Sequence, residues 1–347
     1  MINGHGNNLY SYKEGVIKVD FSSNIAFNNK SDLIIEQLKG NLNSIKNYPD
    51  PCTVNLSVKI AEHHKLQQEN VLVANGSAEA FYLVAHFLAN NAAYSTPSTP
   101  CNTLIHTPAF AEYEDSCALY NHNLAFAPIS TFAQGDFSNF RSVWLGLPNN
   151  PDGFITNFET VIEKCNKFAS TFFVVDMAYN ELCSSMQGER GELPKNLILI
   201  NSLTKSFGVP GIRLGYILAC KEVIEQLSNM RPPWSVNSLS ISVGEYIMDN
   251  YNSLIFNKDE LIGESIFLQK ELGEINSIEV IPSGCNFILC RVCNGKSAAE
   301  LKEFLVENFG ILIRDASNFR GLSREYFRVA AQCRESNLQL IAALKEF

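Results

Sequence analysis

Short runs of β-branched and aliphatic residues recur along the chain, separated by stretches whose apolar positions fall at helical spacing. Val71–Ala74, Thr103–His106, Val143–Leu147, Thr171–Val175, Leu197–Ile200 and Ile212–Leu218 read as strands. Ala78–Leu88, Phe158–Phe168 and Lys221–Ser228 read as helices between them. This alternation predicts βαβ units and a largely parallel sheet. After Pro232-Pro233 the pattern changes. Ser235–Asn250 and Leu254–Leu272 read as long helices, the second a link between domains. Strands Ile278–Ile281, Cys285–Val292, Ile311–Arg314 and Tyr326–Ala330 then interleave with helices Ser297–Asn308 and Glu335–Lys345, predicting a second, smaller α/β domain. Ala92–Asn102, rich in Ser, Thr and Pro, reads as an exposed loop.

With 347 residues, 46% of them hydrophobic, the chain is long enough for two cored domains. A net charge of −9 argues against nucleic acid, whose phosphates select basic surfaces. No apolar run approaches the roughly 18–20 residues that span a bilayer. The polar start, Met-Ile-Asn-Gly-His-Gly-Asn-Asn, does not read as a signal peptide. Ten cysteines are scattered without a framework, and Cys290 and Cys293, three apart on a strand, should face opposite sides. Reduced thiols and a cytoplasmic location are the expectation.

The richest stretch is Asn201–Tyr216. The apolar run before it delivers Lys205 into a loop of hydroxyls and glycines, and Arg213 follows eight residues later. A lysine at the end of a buried strand can be neutralised by desolvation and attack a carbonyl. Ser202, Thr204 and Arg213 suit a phosphate dianion. Together they suggest pyridoxal phosphate (PLP) held by Lys205 as a Schiff base.

Four further segments end predicted strands, where ligands of open α/β sheets gather. Asn75-Gly76-Ser77-Ala78 opens a helix, so backbone N–H groups and the Ser77 hydroxyl can take an anion, although a plain turn and cap would look the same. Phe110, in Thr107–Tyr113, reads either as a ring that stacks on a pyridine or as core packing. In Leu147-Pro-Asn-Asn-Pro-Asp-Gly153, ordinary turn dipeptides surround Asn150, a candidate donor to a phenolate oxygen. Asp176 directly follows Phe172–Val175 and needs a cationic partner to stay ionised there; a pyridinium N–H is one. Tyr179 would add a second phenolate donor.

The order Gly-Ser loop, aromatic, Asn-Pro, Asp-x-x-Tyr, Ser-x-x-Lys and Arg resembles the fold-type I PLP enzymes of the class I/II aminotransferase family, over nearly the whole chain. The resemblance implies a large PLP-binding domain with a mostly parallel seven-stranded sheet over residues 31–250. It implies a small domain with an N-terminal arm over residues 1–30 and 251–347. Lys205 would be the Schiff-base lysine, Asp176 the partner of the pyridine nitrogen, and Phe110 the stacking ring. Asn150 and Tyr179 would bind the phenolate. Gly76, Ser77, Ala78, Ser202, Thr204 and Arg213 would surround the phosphate. Asn47-Tyr48-Pro49 resembles the segment whose tyrosine reaches the phosphate of a neighbouring subunit, implying a homodimer with shared sites.

Ile311–Leu322 and Tyr326–Ala330 resemble the histidinol-phosphate aminotransferase branch. The run Arg314-Asp-Ala-Ser-Asn-Phe319, with His5-Gly-Asn-Asn and Asp20-Phe-Ser-Ser-Asn24, looks closest to the threonine-phosphate decarboxylases of cobalamin biosynthesis. On that likeness Arg328 would face a substrate carboxylate or phosphate, Arg314 a substrate phosphate, and Asn24 and His5 would join the substrate site. The two arginines also admit a reading as surface ion pairs, and His5 as an exposed residue of the arm. Gly6-Asn7-Asn8, Asn24-Ile-Ala-Phe27 and Ala316 depart from that branch's pattern, which leaves both decarboxylation and transamination open. Lys205, Asp176 and Arg213 are all present, which argues against a non-catalytic relative. No metal is expected.

Overall fold

The computed structural model describes residues 8–90, 101–185 and 192–347, so His5 and most of the stretch 92–102 lie outside the described residues. In chain order the strands are β1 (Val19–Asp20), β2 (Val71–Ala74), β3 (Asn102–Thr107), β4 (Asn123–Pro128), β5 (Ser142–Gly146), β6 (Phe172–Asp176) and β7 (Leu197–Ser202). They continue with β8 (Gly215–Ala219), β9 (Ile278–Ile281), β10 (Phe287–Val292), β11 (Ile311–Leu312), β12 (Arg314–Asp315) and β13 (Tyr326–Ala330).

Seven strands form one sheet in the order β2-β8-β7-β6-β5-β3-β4. The pairs among β3 to β7 are parallel, and β8 runs antiparallel to both its neighbours. Alternate residues of each strand enter two separate apolar cores. Val73, Val143, Val175, Leu199 and Leu218 face one, and Leu72, Trp144, Val174, Ile200 and Ile217 face the other. Burial on both faces is why these strands read as unbroken apolar runs.

The parallel arrangement sends β3, β5, β6 and β7 out at one edge of the sheet. The segments that follow carry Phe110, Asn150, Tyr179 and Lys205. The order β6-β7 puts Asp176 beside Ile200, so the carboxylate and the lysine loop emerge side by side.

A second sheet, β12-β13-β10-β9, is antiparallel throughout. Its core is shared with the helices Lys258–Gly273, Ala298–Phe309 and Arg334–Glu346.

Three expected elements are altered and four further ones were not foreseen. The strand expected over Ile212–Leu218 begins only at Gly215, because Pro210–Ile212 forms a 3-10 turn and Arg213 adopts a left-handed φ of 57°. The helix expected over Leu254–Leu272 is broken: a short helix ends at Leu254 and a new one starts at Lys258, with Asn257 accepting from the Glu260 N–H. The strand expected over Ile311–Arg314 is two, since β11 pairs with β1 and the chain then changes sheets so that β12 pairs with β13. Strand β4 and the helices Ser31–Asn41, Val54–His63 and Ala111–Leu119 stand where no element was expected. All ten cysteines are free, with Cys290 buried and Cys293 exposed, as alternation along β10 requires.

Candidate active site

A cavity of about 310 Å³ opens at the sheet edge where these segments gather, and its wall reaches across to the second sheet. Lys205, Phe110, Asn150, Tyr179, Arg213 and Ala78 line it from the large sheet's side. Asn24, Arg314 and Arg328 line it from the other. Of the sixteen expected positions fifteen lie among the described residues, and nine of them share this wall.

Asp176 ends β6 and is 6% exposed. Its Oδ1 accepts from the Ala178 N–H at 2.9 Å and its Oδ2 from the Tyr113 hydroxyl at 2.6 Å. Both bonds favour the carboxylate, yet burial outweighs them and raises its pKa to about 6. Burial, reinforced by Arg328 and Arg213, lowers the Lys205 amine to about 8. Near neutrality a useful fraction of that amine is therefore unprotonated and nucleophilic.

Between the end of β7 and Lys205, the Ser202 and Thr204 hydroxyls lie 2.8 Å apart, both buried. Ser202 pairs with Gly215 of β8, which pairs in turn with Ala74, just before the helix Gly76–Asn90, whose first N–H groups have no partner within the helix. Two glycines make this corner possible. A Cβ on Gly76 would stand 2.7 Å from Nη2 of Arg213, and one on Gly215 would stand 2.6 Å from the Ser77 nitrogen and 2.8 Å from the Asn201 oxygen. The Gly215 neighbours are backbone and cannot yield. Gly215→Ala is therefore expected to destabilise the chain by about 1–3 kcal/mol, measured by denaturant unfolding, and to weaken anion binding at this corner.

The second sheet contributes a pair of arginines. Arg314 and Arg328 are direct partners in the β12–β13 ladder, so their side chains leave the same face. They are 8% and 5% exposed. Arg328 donates through Nη2 to the Ser22 carbonyl at 2.7 Å and through Nη1 to Oδ1 of Asn150. That contact commits the amide oxygen of Asn150 to the guanidinium and leaves its NH₂ as a donor. Arg314 donates to Asn318 Oδ1 at 2.7 Å and to the Asp315 carbonyl. Burial lowers both arginines to about 10, and in Arg314 the neighbouring Arg328 adds to the effect. Both are buried on neighbouring strands and donate to carbonyl and amide oxygens, unlike a surface ion pair.

Asn24, 1% exposed, has both side-chain amide atoms buried without a hydrogen-bond partner among the described residues, as has Nε of Arg328. Such atoms in a cavity wall can be satisfied by a bound ligand or water. Such orphaned atoms, the glycine-lined corner and the buried carboxylate facing a low-pKa amine fit PLP and an anionic substrate. Among the described residues no cluster of His, Cys, Asp and Glu suits a metal ion.

Tyr48 is not in this wall: it is 85% exposed and packs on Trp234, ring centroids 5.1 Å apart. Gly76, Ser77, Asp176, Ser202 and Thr204 do not line this cavity. The sequence reading missed Tyr113, which had only its place near Phe110 to signal it, and Glu114 and Arg320, which also line the cavity.

A sheet of this order, with a lysine and a carboxylate at its edge and two arginines from a second sheet, defines a fold-type I transferase. Residues 16–344 match the model of the aminotransferase class I and II family, and the chain belongs to that family. It is 27% identical to the threonine-phosphate decarboxylase of Salmonella typhimurium, over 94% of this chain and 90% of the relative. It is 30% identical to the histidinol-phosphate aminotransferase of Caldanaerobacter subterraneus, over 86% of this chain and 84% of that one. Among solved structures, the L-threonine-O-3-phosphate decarboxylase of Porphyromonas gingivalis superposes with a TM-score of 0.88 at 33% identity, covering 95% of this chain and 99% of the other.

Proposed function

We propose that the chain is a PLP-dependent decarboxylase of L-threonine O-3-phosphate, of the kind that serves cobalamin biosynthesis, working as a cytoplasmic homodimer. The observation that carries this reading is the buried Arg314–Arg328 pair, which faces the same cavity as Lys205. A substrate with both a carboxylate and a phosphate supplies an anion for each guanidinium.

When bound, PLP supplies a carbonyl for amines and a protonated ring that accepts the electron pair of the bond broken at the substrate's α-carbon. Gly76, Ser77, Ala78, Ser202, Thr204 and Arg213 would hold its phosphate, joined by Tyr48 from a second copy. Asp176 would keep a proton on the ring nitrogen, steadied by Tyr113. Asn150 and Tyr179 would donate to the phenolate oxygen, and Phe110 would cover a ring face. Arg328, Arg314 and Asn24 would orient the substrate, with His5 closing the site from the arm. The arginines would hold the substrate's carboxylate and phosphate and so select which bond at the α-carbon breaks. Where that is the bond to the carboxylate, CO₂ would be released and Lys205 would return a proton to the α-carbon.

The test is to give the holoenzyme O-phospho-L-threonine alone and follow CO₂ and the visible absorption together. Sustained CO₂ release with unchanged absorption is expected. Stoichiometric bleaching without CO₂, reversed by a 2-oxo acid, would establish an aminotransferase instead.

A further inference from the structure

We propose that Arg320 is a further guanidinium for the substrate's phosphate, parked on Glu114 until a phosphorylated substrate draws it away. The inference rests on the reading of a phosphorylated substrate given above. Arg320 donates from Nε to Glu114 Oε2 at 2.8 Å and from Nη2 to Oε1 at 2.5 Å. Its guanidinium carbon lies 4.0 Å from the centroid of the Phe126 ring. Glu114 belongs to the helix Ala111–Leu119, capped by Phe110, and Arg320 to the loop that holds Asn318 and follows β12, the strand of Arg314. The pair therefore joins the two sides of the cavity, and both residues line it.

Charge counting gives this pair a role beyond packing. A phosphorylated amino acid brings one carboxylate charge and about −1.5 to −2 on its phosphate at neutral pH. Arg314 and Arg328 together answer two of these charges. Arg213, the other arginine of the wall, is committed on the same reading to the cofactor's phosphate. Arg320 is the cation left to complete the balance.

The exchange trades one two-pronged ion pair for another. The Arg320 side chain is 49% and that of Glu114 22% exposed, so the resting pair is partly screened by salt. A phosphate in the cavity presents the same two-pronged acceptor as the carboxylate, carries more charge and is less screened. A substrate without phosphate offers Arg320 nothing better than Glu114, so the latch also selects against it.

The experiment uses holoenzyme, whose cofactor-phosphate corner is filled, with isopropyl phosphate as a phosphomonoester that lacks both amine and carboxylate. Calorimetry gives its Kd for wild type, Arg320→Ala, Arg320→Lys and Glu114→Gln. Steady-state kinetics with O-phospho-L-threonine give KM and kcat separately. Arg320→Ala should raise Kd and KM about 10-fold or more while kcat moves less than about 3-fold. Arg320→Lys should restore part of the loss, and it replaces the alanine variant should that one not fold. Glu114→Gln should bind the probe as tightly as wild type or more tightly. Equal Kd in wild type and Arg320→Ala overturns the inference alone. So does a Glu114→Gln loss matching that of Arg320→Ala, because the pair would then be only a brace. No binding of either phosphate compound to wild type overturns the phosphorylated-substrate reading and the latch with it.

Discussion

Lys205→Ala should abolish turnover, lowering kcat by at least about 10⁴-fold, and should remove the visible absorption of the lysine-linked cofactor. Both roles assigned to this side chain, covalent partner and proton carrier, reside in one amine. Its surroundings support that assignment: burial and the nearby Arg328 and Arg213 bring it down to about 8. Arginine at the same position would keep a cation in the cavity but could not lose its proton, so Lys205→Arg should be as inactive as the alanine variant. Rapid-scanning absorbance of purified holoenzyme, with CO₂ release as the second readout, checks both. Visible absorption surviving in Lys205→Ala would remove Lys205 from its assigned place.

Asp176→Asn should cost about 10³-fold in kcat while making the cofactor-free chain more stable. The two effects have one cause. In the folded chain the Asp176 pKa rises from 3.8 to about 6, because burial disfavours the charge more than Tyr113 and Ala178 favour it. A raised folded pKa means that the folded state is relatively favoured while the group is protonated, below its unfolded value. That advantage is lost as pH rises through the folded value. Above about pH 6 the free carboxylate is therefore a standing cost, on the order of 3 kcal/mol for a shift of this size. Asparagine keeps the bond from the Ala178 N–H, turns the Tyr113 contact into one donated by its NH₂, and removes the charge. Thermal unfolding of cofactor-free protein should show Asp176→Asn above wild type at pH 7–8, with the difference vanishing below about pH 4. A gain that persisted at low pH would mean that the charge is not its source.

Much of this site was legible in the sequence because its groups sit immediately beyond apolar runs. Phe172–Val175 announces that Asp176 is at the end of a buried strand, and Leu197–Ile200 does the same for the Lys205 loop. What stayed hidden depends on contacts between distant segments. Tyr113 meets Asp176 across 63 positions, and nothing in its neighbourhood distinguishes its hydroxyl from that of any half-apolar helix residue. The Arg320–Glu114 pair spans 206 positions. Strand β4 escaped because Asn123–Pro128 has no fully buried residue, so neither alternation nor an unbroken apolar run marks it; only pairing with β3 makes it a strand. The break before Lys258 was readable in principle from Asn257 followed by Asp259 and Glu260, a helix-start signature that the longer apolar rhythm obscured.

The contacts of Arg328 set a timetable for how the protein matures during synthesis. Its guanidinium joins Ser22, 306 positions upstream, to Asn150, 178 positions upstream. A growing chain exposes Lys205, Asp176 and the glycine corner long before Arg328 exists. Elements of the large sheet can fold first, since synthesis favours N-terminal units. The substrate grip must wait for the last strand, when β13 pairs with β12 and β10. A nascent chain should thus acquire a place for its cofactor well before it acquires the means to choose a substrate.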